Sequence, residues 1–304
     1  MLNCGFQVCF YSLLVCVCWP ASDLLASDPI EPTGEVQKIE GGFAFTEGPV
    51  VADDGTLYFT DIPNETIHRL SPGGKVEVFV NPSGHANGLM IAADGRLVAC
   101  QMDGQVVAYD RETKAMTVLA DQFNGQRFNA PNDLAIDADG GVYFTDPFFR
   151  APDPLPQGIQ AVYYIAPDRS VTRVTAGLPA PNGIGISSDG KTLYVIPSRS
   201  AEMLAYPIQG PGQLGAGSVF CKLKQPEGRS DSGGDGMALD VEGNLYITSD
   251  LGIQIFSSTG QYRGRVTFPE QPANVAFGGP ERKTMYVTAR TGLYSVTMPI
   301  SGRL

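Results

Sequence analysis

One pattern, repeated six times, constrains this chain more than any other feature. The copies open at Glu47, Asn87, Asn132, Asn182, Asp235 and Asn274, about 40 to 50 residues apart. Each opens with a polar residue, runs through a short apolar strand, turns, and enters a second apolar strand. The turn is Asp-Gly in four copies and Glu-Gly in a fifth, and the second strand carries a central Tyr in five. Asp-Gly tolerates the positive φ angles of tight hairpins, so each copy reads as a β-hairpin. Weaker strand pairs fill the intervals, such as Thr66 to Leu70 with Val76 to Val80, and Ala161 to Ile165 with Val171 to Val174. Four strands per repeat and six repeats predict an all-β fold, a six-bladed β-propeller with four-stranded blades. The segment around Val36 to Ile39 precedes the first hairpin and is expected to complete the last blade.

In a propeller the first strand of each blade lines the central channel. The residue that opens each repeat therefore stands at one mouth, and Glu47, Asn87, Asn132, Asn182, Asp235 and Asn274 should form a ring there. Six oxygen-bearing side chains around one axis suit a hard cation, with Glu47 and Asp235 matching a divalent charge. Ca²⁺ fits best, and Mg²⁺ or Zn²⁺ are alternatives. Such an ion can polarise a carbonyl and acidify a water. The competing reading is that Asn and Asp at strand starts cap local backbone groups. A shared register in all six copies argues against that as the whole account.

Other chemistries find little support. The formal charge of −11 disfavours nucleic acid. His68 and His85 are the only histidines, no Gly-x-Ser-x-Gly elbow is present, and no paired Cys motif, phosphate loop or dinucleotide fingerprint occurs. His85, two residues before Asn87, is a candidate to touch substrate, as are Arg127 and Asn129 in the loop before Asn132. Phe148, Phe149 and Arg150 form a candidate wall. Asp133 and Asp146 are assigned structural hydrogen bonds, with the Asp133 side chain pointing away from the ring. Residues 6–19 are nearly all apolar and read as the core of a signal peptide spanning residues 1–26, followed by the propeller over 27–304. Export to the periplasm or medium is expected, with no transmembrane segment in the mature chain. Cys100 and Cys221 are expected as buried free thiols, with a disulfide between them as the alternative.

At these residues the chain resembles the senescence marker protein/gluconolactonase/luciferin-regenerating enzyme family, in its bacterial gluconolactonase-like branch. The matching stretches are Thr46-Glu-Gly-Pro49, Ala86-Asn-Gly-Leu89, Asn129-Ala-Pro-Asn-Asp-Leu134 with Tyr143-Phe-Thr-Asp-Pro147, Pro181-Asn-Gly183, Gly234-Asp-Gly-Met237, and Asn274 to Pro280 with Tyr286-Val-Thr-Ala-Arg290. The resemblance implies one divalent cation held by Glu47, Asn132, Asn182 and Asp235, with Asp235 as general base. It also implies hydrolysis of a sugar lactone to its aldonic acid. Asn87 and Asn274 are then expected to face substrate. Two places depart from the family: Ala130 stands where some relatives carry a sugar-binding Arg, and Cys100-Gln-Met-Asp-Gly-Gln105 lacks a basic, His-containing segment. Alternatives are another lactone, an ester or a phosphotriester at the same ion, or a non-catalytic propeller that binds a ligand over a structural ion.

Overall fold

The computed structural model describes residues 1–2 and 28–303. The signal-peptide reading and Cys4, Cys9, Cys16 and Cys18 fall outside the described residues. Among those described, no helix is long and apolar enough to cross a membrane.

Six antiparallel blade sheets follow one another along the chain, with a small two-stranded sheet, Gln122–Phe123 with Gln126–Arg127, between the second and third. The innermost strands are Thr46–Val51, Ala86–Ile91, Leu134–Ile136, Pro181–Ile186, Gly234–Leu239 and Pro272–Gly278. Each contacts the next in cyclic order, and the last contacts the first, so the blades close a ring. The sixth sheet takes its outermost strand, Gln37–Gly41, from the start of the chain, paired with Gly292–Thr297. The ring is thus fastened by both ends of the propeller, as the repeat predicted.

The apolar residues fall into one cluster per blade interface. Alternation along each strand sends successive side chains to opposite faces of a blade, so every blade serves two interfaces. The recurrent Tyr of the second strand fills this role: Tyr58, Tyr143, Tyr194 and Tyr246 are buried against the following blade. Cys100 and Cys221 are both buried and free.

Pairing between first and second strands breaks at the same place in blade after blade. The register shifts between Glu47 and Val50, Ala86 and Leu89, Pro181 and Ile184, Gly234 and Met237, and Pro272 and Asn274. An extra residue in a strand bends it and re-aims its side chains. Here the bulge lies at the ring, where the six strands approach most closely. Gly48 shows why Gly follows the polar residue: its φ is +49°, and a Cβ there would overlap the Asn87 carbonyl oxygen of the next blade. Threonines of the second strands tie the same carbonyls between blades. Thr60 Oγ1 donates to Asn87 O (3.1 Å), Thr145 Oγ1 to Asn182 O (2.8 Å) and Thr248 Oγ1 to Ala273 O (2.7 Å). Cys100 occupies the equivalent position in blade two, which accounts for a buried thiol so near the axis.

Candidate functional site

The ring forms as the repeat requires. Glu47, Asn87, Asn132, Asn182 and Asn274 are all at most 5% exposed, while Asp235 is more open. Asn182 Nδ2 donates to Asp235 Oδ1 (2.5 Å) and to Ser198 Oγ (3.0 Å), and Ser198 in turn donates to Gly234 O (2.9 Å). Across the axis, Asn274 Nδ2 and the Gly48 N–H both donate to Glu47 Oε2, at 2.9 and 2.7 Å. Asn274 therefore braces a ring carboxylate.

Asp133 corrects one expectation. Simple alternation points its side chain away from Asn132, but the irregular strand start turns it inward. It lines the channel below the ring, and its charge acts on Glu47. Three carboxyls, Glu47, Asp133 and Asp235, thus lie near enough for their charges to act on one another. Burial first, and then the Asp235 charge, push Glu47 well above the ordinary carboxylate range. Burial raises Asp133 to about 7. It raises Asp235 to about 6, against the pull of the Arg290 guanidinium and the Asn182 amide, while Asp250 adds to the rise. Like charges in low dielectric call for a counter-ion. Two carboxylates and two amide side chains supply hard oxygen donors on one axis, so the donor set fits a divalent cation. Glu47, Asn132, Asn182 and Asp235 are the residues that could hold it, with Asn182 presenting Oδ1.

Asn129 is corrected as a substrate contact. It is wholly buried, its Nδ2 donates to Asp146 O (3.2 Å) and Ile159 O (2.9 Å), and its Oδ1 accepts from Gln157 N (3.0 Å). Its amide is fully used in holding the loop. Arg127 also grips this loop, through Phe128 O (3.0 Å), Asn129 O (3.1 Å) and Met102 O (3.4 Å). Asp146 accepts from Asn129 N (2.9 Å) and Ala130 N (2.8 Å), the structural role expected of it. Asp61 does the same before Glu47, accepting from Ala44 N and Phe45 N. His85 lies on the rim with Nδ1 3.0 Å from Asp103 and Nε2 3.8 Å from Glu65. The ligand atoms of these three lie within 4.8 Å of one another, apart from the Glu47 and Asp235 set.

Ser198, Asp250 and Arg290 escaped the sequence reading as site residues. Arg290 lies over the Phe45 ring (5.1 Å), and its charge reaches Asp235. The available signal was positional, since each is the first residue after its blade's second strand. Below the ring, a cavity of about 380 Å³ runs toward the opposite face, lined by Val50, Leu89, Leu134, Ile184 and Met237. The ring therefore separates an apolar channel from a mixed mouth.

Comparison with known proteins identifies the family. Residues 45–291 match the family described as SMP-30/Gluconolactonase/LRE-like region. The chain is 29% identical to a gluconolactonase of Zymomonas mobilis, over 84% of this chain and 78% of that one. It is 30% identical to a pentonolactonase of Haloferax volcanii, over 81% of each. Among solved structures, a gluconolactonase from Xanthomonas campestris superposes with a TM-score of 0.80 at 27% identity, over 90% of this chain and 95% of that one.

Proposed function

Since the chain belongs to the SMP-30/gluconolactonase/LRE-like family, we propose that it is a cation-dependent lactone hydrolase with its active centre at the ring. The observation that carries this reading is the pairing of the ring carboxyls of Glu47 and Asp235 with the amide side chains of Asn274 and Asn182. A divalent cation bound there, Ca²⁺ foremost, supplies polarisation of the lactone carbonyl. Glu47, Asn132 and Asn182 fix the place of that charge, and Asn274 and Ser198 fix Glu47 and Asn182. Asp235 Oδ1 accepts from Asn182, which leaves Oδ2 to take a proton from the attacking water. The water oxygen bonds to the carbonyl carbon, the ring C–O bond breaks, and the ring oxygen takes the proton held by Asp235 and leaves as a hydroxyl, giving a hydroxy acid. A sugar lactone is the substrate class named in the relatives, and Asn87 and His85 are the proposed substrate contacts. Export belongs to the same proposal and is checked by the N-terminal residue of mature protein recovered outside the cytoplasm.

A lactone panel assayed with chelator-stripped and Ca²⁺-restored protein, beside Asp235→Asn, tests the reading. Activity should vanish on stripping, return with the ion, and fall at least a hundredfold in kcat in the variant. Hydrolysis indifferent to both treatments would overturn it.

A further inference from the structure

The six copies place one residue each immediately after the second strand, on the mouth side of the ring. In blades one to three these are Ile62, Met102 and Pro147; in blades four to six they are Ser198, Asp250 and Arg290. The tier above the ring is therefore divided, half apolar and half polar.

Each half is organised beyond its single residues. Ile62, Met102 and Ala130 form a buried cluster, with Phe45 and Phe149 packed against it and partly open. This cluster belongs to none of the six blade interfaces and joins mouth-side loops of three blades. It borders the ring directly, with Met102 Sδ 3.9 Å from Asn87 Nδ2. On the other half, Asp250 accepts from Ser232 Oγ (2.5 Å), Arg229 Nη1 (2.8 Å) and Gln271 Nε2 (2.5 Å). Gln271 Oε1 accepts from Arg290, and Ser198 bonds Asn182. Donors and acceptors for hydroxyl groups are plentiful there; on the other half His85 is paired with Asp103 and Glu65, and Arg127 is taken up by backbone carbonyls.

We propose that the site selects an amphipathic lactone, with hydroxyls toward blades four to six and an apolar substituent against the wall of Phe45, Ile62, Met102 and Phe149. The proposal rests on the lactone-hydrolase reading of the ring. A lactone hydroxylated at every carbon would press at least one hydroxyl on that wall without a partner, a loss of about tenfold. A methyl or alkyl group in its place leaves nothing unpaired, and each buried methylene adds roughly three- to fourfold.

The test compares the 6-hydroxy, 6-deoxy and 6-deoxy-6-butyl forms of one hexono-δ-lactone with the Ca²⁺-loaded full chain. It reads kcat/KM for the lactones and Kd for the corresponding lactams. The 6-deoxy form should exceed the 6-hydroxy form about tenfold in kcat/KM, and the butyl form should exceed both. Phe149→Ala should shrink these ratios and Phe149→Leu should restore them; ratios are immune to a variant that simply folds less well. Equal turnover of all three lactones would overturn the apolar wall and leave the hydrolase standing. Absence of turnover with graded lactam binding would overturn the hydrolase and leave the wall. Absence of both would overturn both.

Discussion

Removing the cation should expose the electrostatic cost built into the ring, and pH should reveal it. Asp235 has a folded pKa of about 6, above the 3.8 of an ordinary Asp, and burial moves Glu47 in the same direction. A carboxyl raised by folding binds its proton more tightly in the native state than in the unfolded one. Its contribution to stability is complete below about pH 4 and is lost as pH rises through about 6. For Asp235 the loss is about 3 kcal/mol, and Glu47 adds to it. In a chain of this size that corresponds to a fall of roughly 5–10 °C in Tm. Cation binding opposes the loss, because it favours the ionised carboxylates and stabilises the native state by mass action. Thermal unfolding of chelator-treated protein between pH 4 and 7.5, with and without millimolar Ca²⁺, reads both effects. The stripped protein should lose stability across this interval while the Ca²⁺-loaded protein holds level, so the ion-induced rise in Tm should grow with pH. A stripped protein of constant Tm, or an ion effect equal at pH 4.5 and 7.5, would refute the assignment of these carboxyls to a cation site.

Three further outcomes test the scaffold. Gly48→Ala should destabilise by roughly 3 kcal/mol or more in urea unfolding, since its Cβ meets the Asn87 carbonyl at a φ of +49°; a change under 1 kcal/mol would contradict the close packing of the ring. Deleting residues 28–41 removes the outer strand of blade six and bares the edge of Gly292–Thr297. Light scattering and Tm should show aggregation and a lower melting point, because an unpaired edge recruits other chains. Cys100 and Cys221 are buried, and burial pushes the Cys221 thiol up to about 12. Neither should react with a disulfide reagent at pH 8 until denaturant is added.

The fold was legible in the sequence because the repeat carries its own register. Asp-Gly or Glu-Gly fixes five of the six turns, alternation fixes each face, and the opening polar residue fixes the end of the channel at which Glu47, Asn132, Asn182 and Asp235 stand. Local rules fail where the strands converge. Alternation sends Asp133 outward, yet the irregular strand start sends it in, because crowding at the axis outweighs strand regularity. Asn129 misleads for another reason. An amide suited to a sugar hydroxyl is equally suited to a backbone carbonyl, and only the fold shows that Asp146, Gln157 and Ile159 already occupy it.

The symmetry of the propeller and the chemistry of its mouth then follow opposite logics. Six equivalent positions give each blade the same backbone path, so anything conferred by the backbone is offered six times. A substrate is not six-fold symmetric and can be recognised only where the copies differ. At the ring, Glu47 and Asp235 are the two charged exceptions to Asn. One tier outward, Ile62, Met102 and Pro147 face Ser198, Asp250 and Arg290 across the same axis. Arg290 stands where the halves meet, over Phe45 on one side and within reach of Asp235 on the other. Under the proposed function, the divergence between copies, more than the repeat itself, is what a substrate reads.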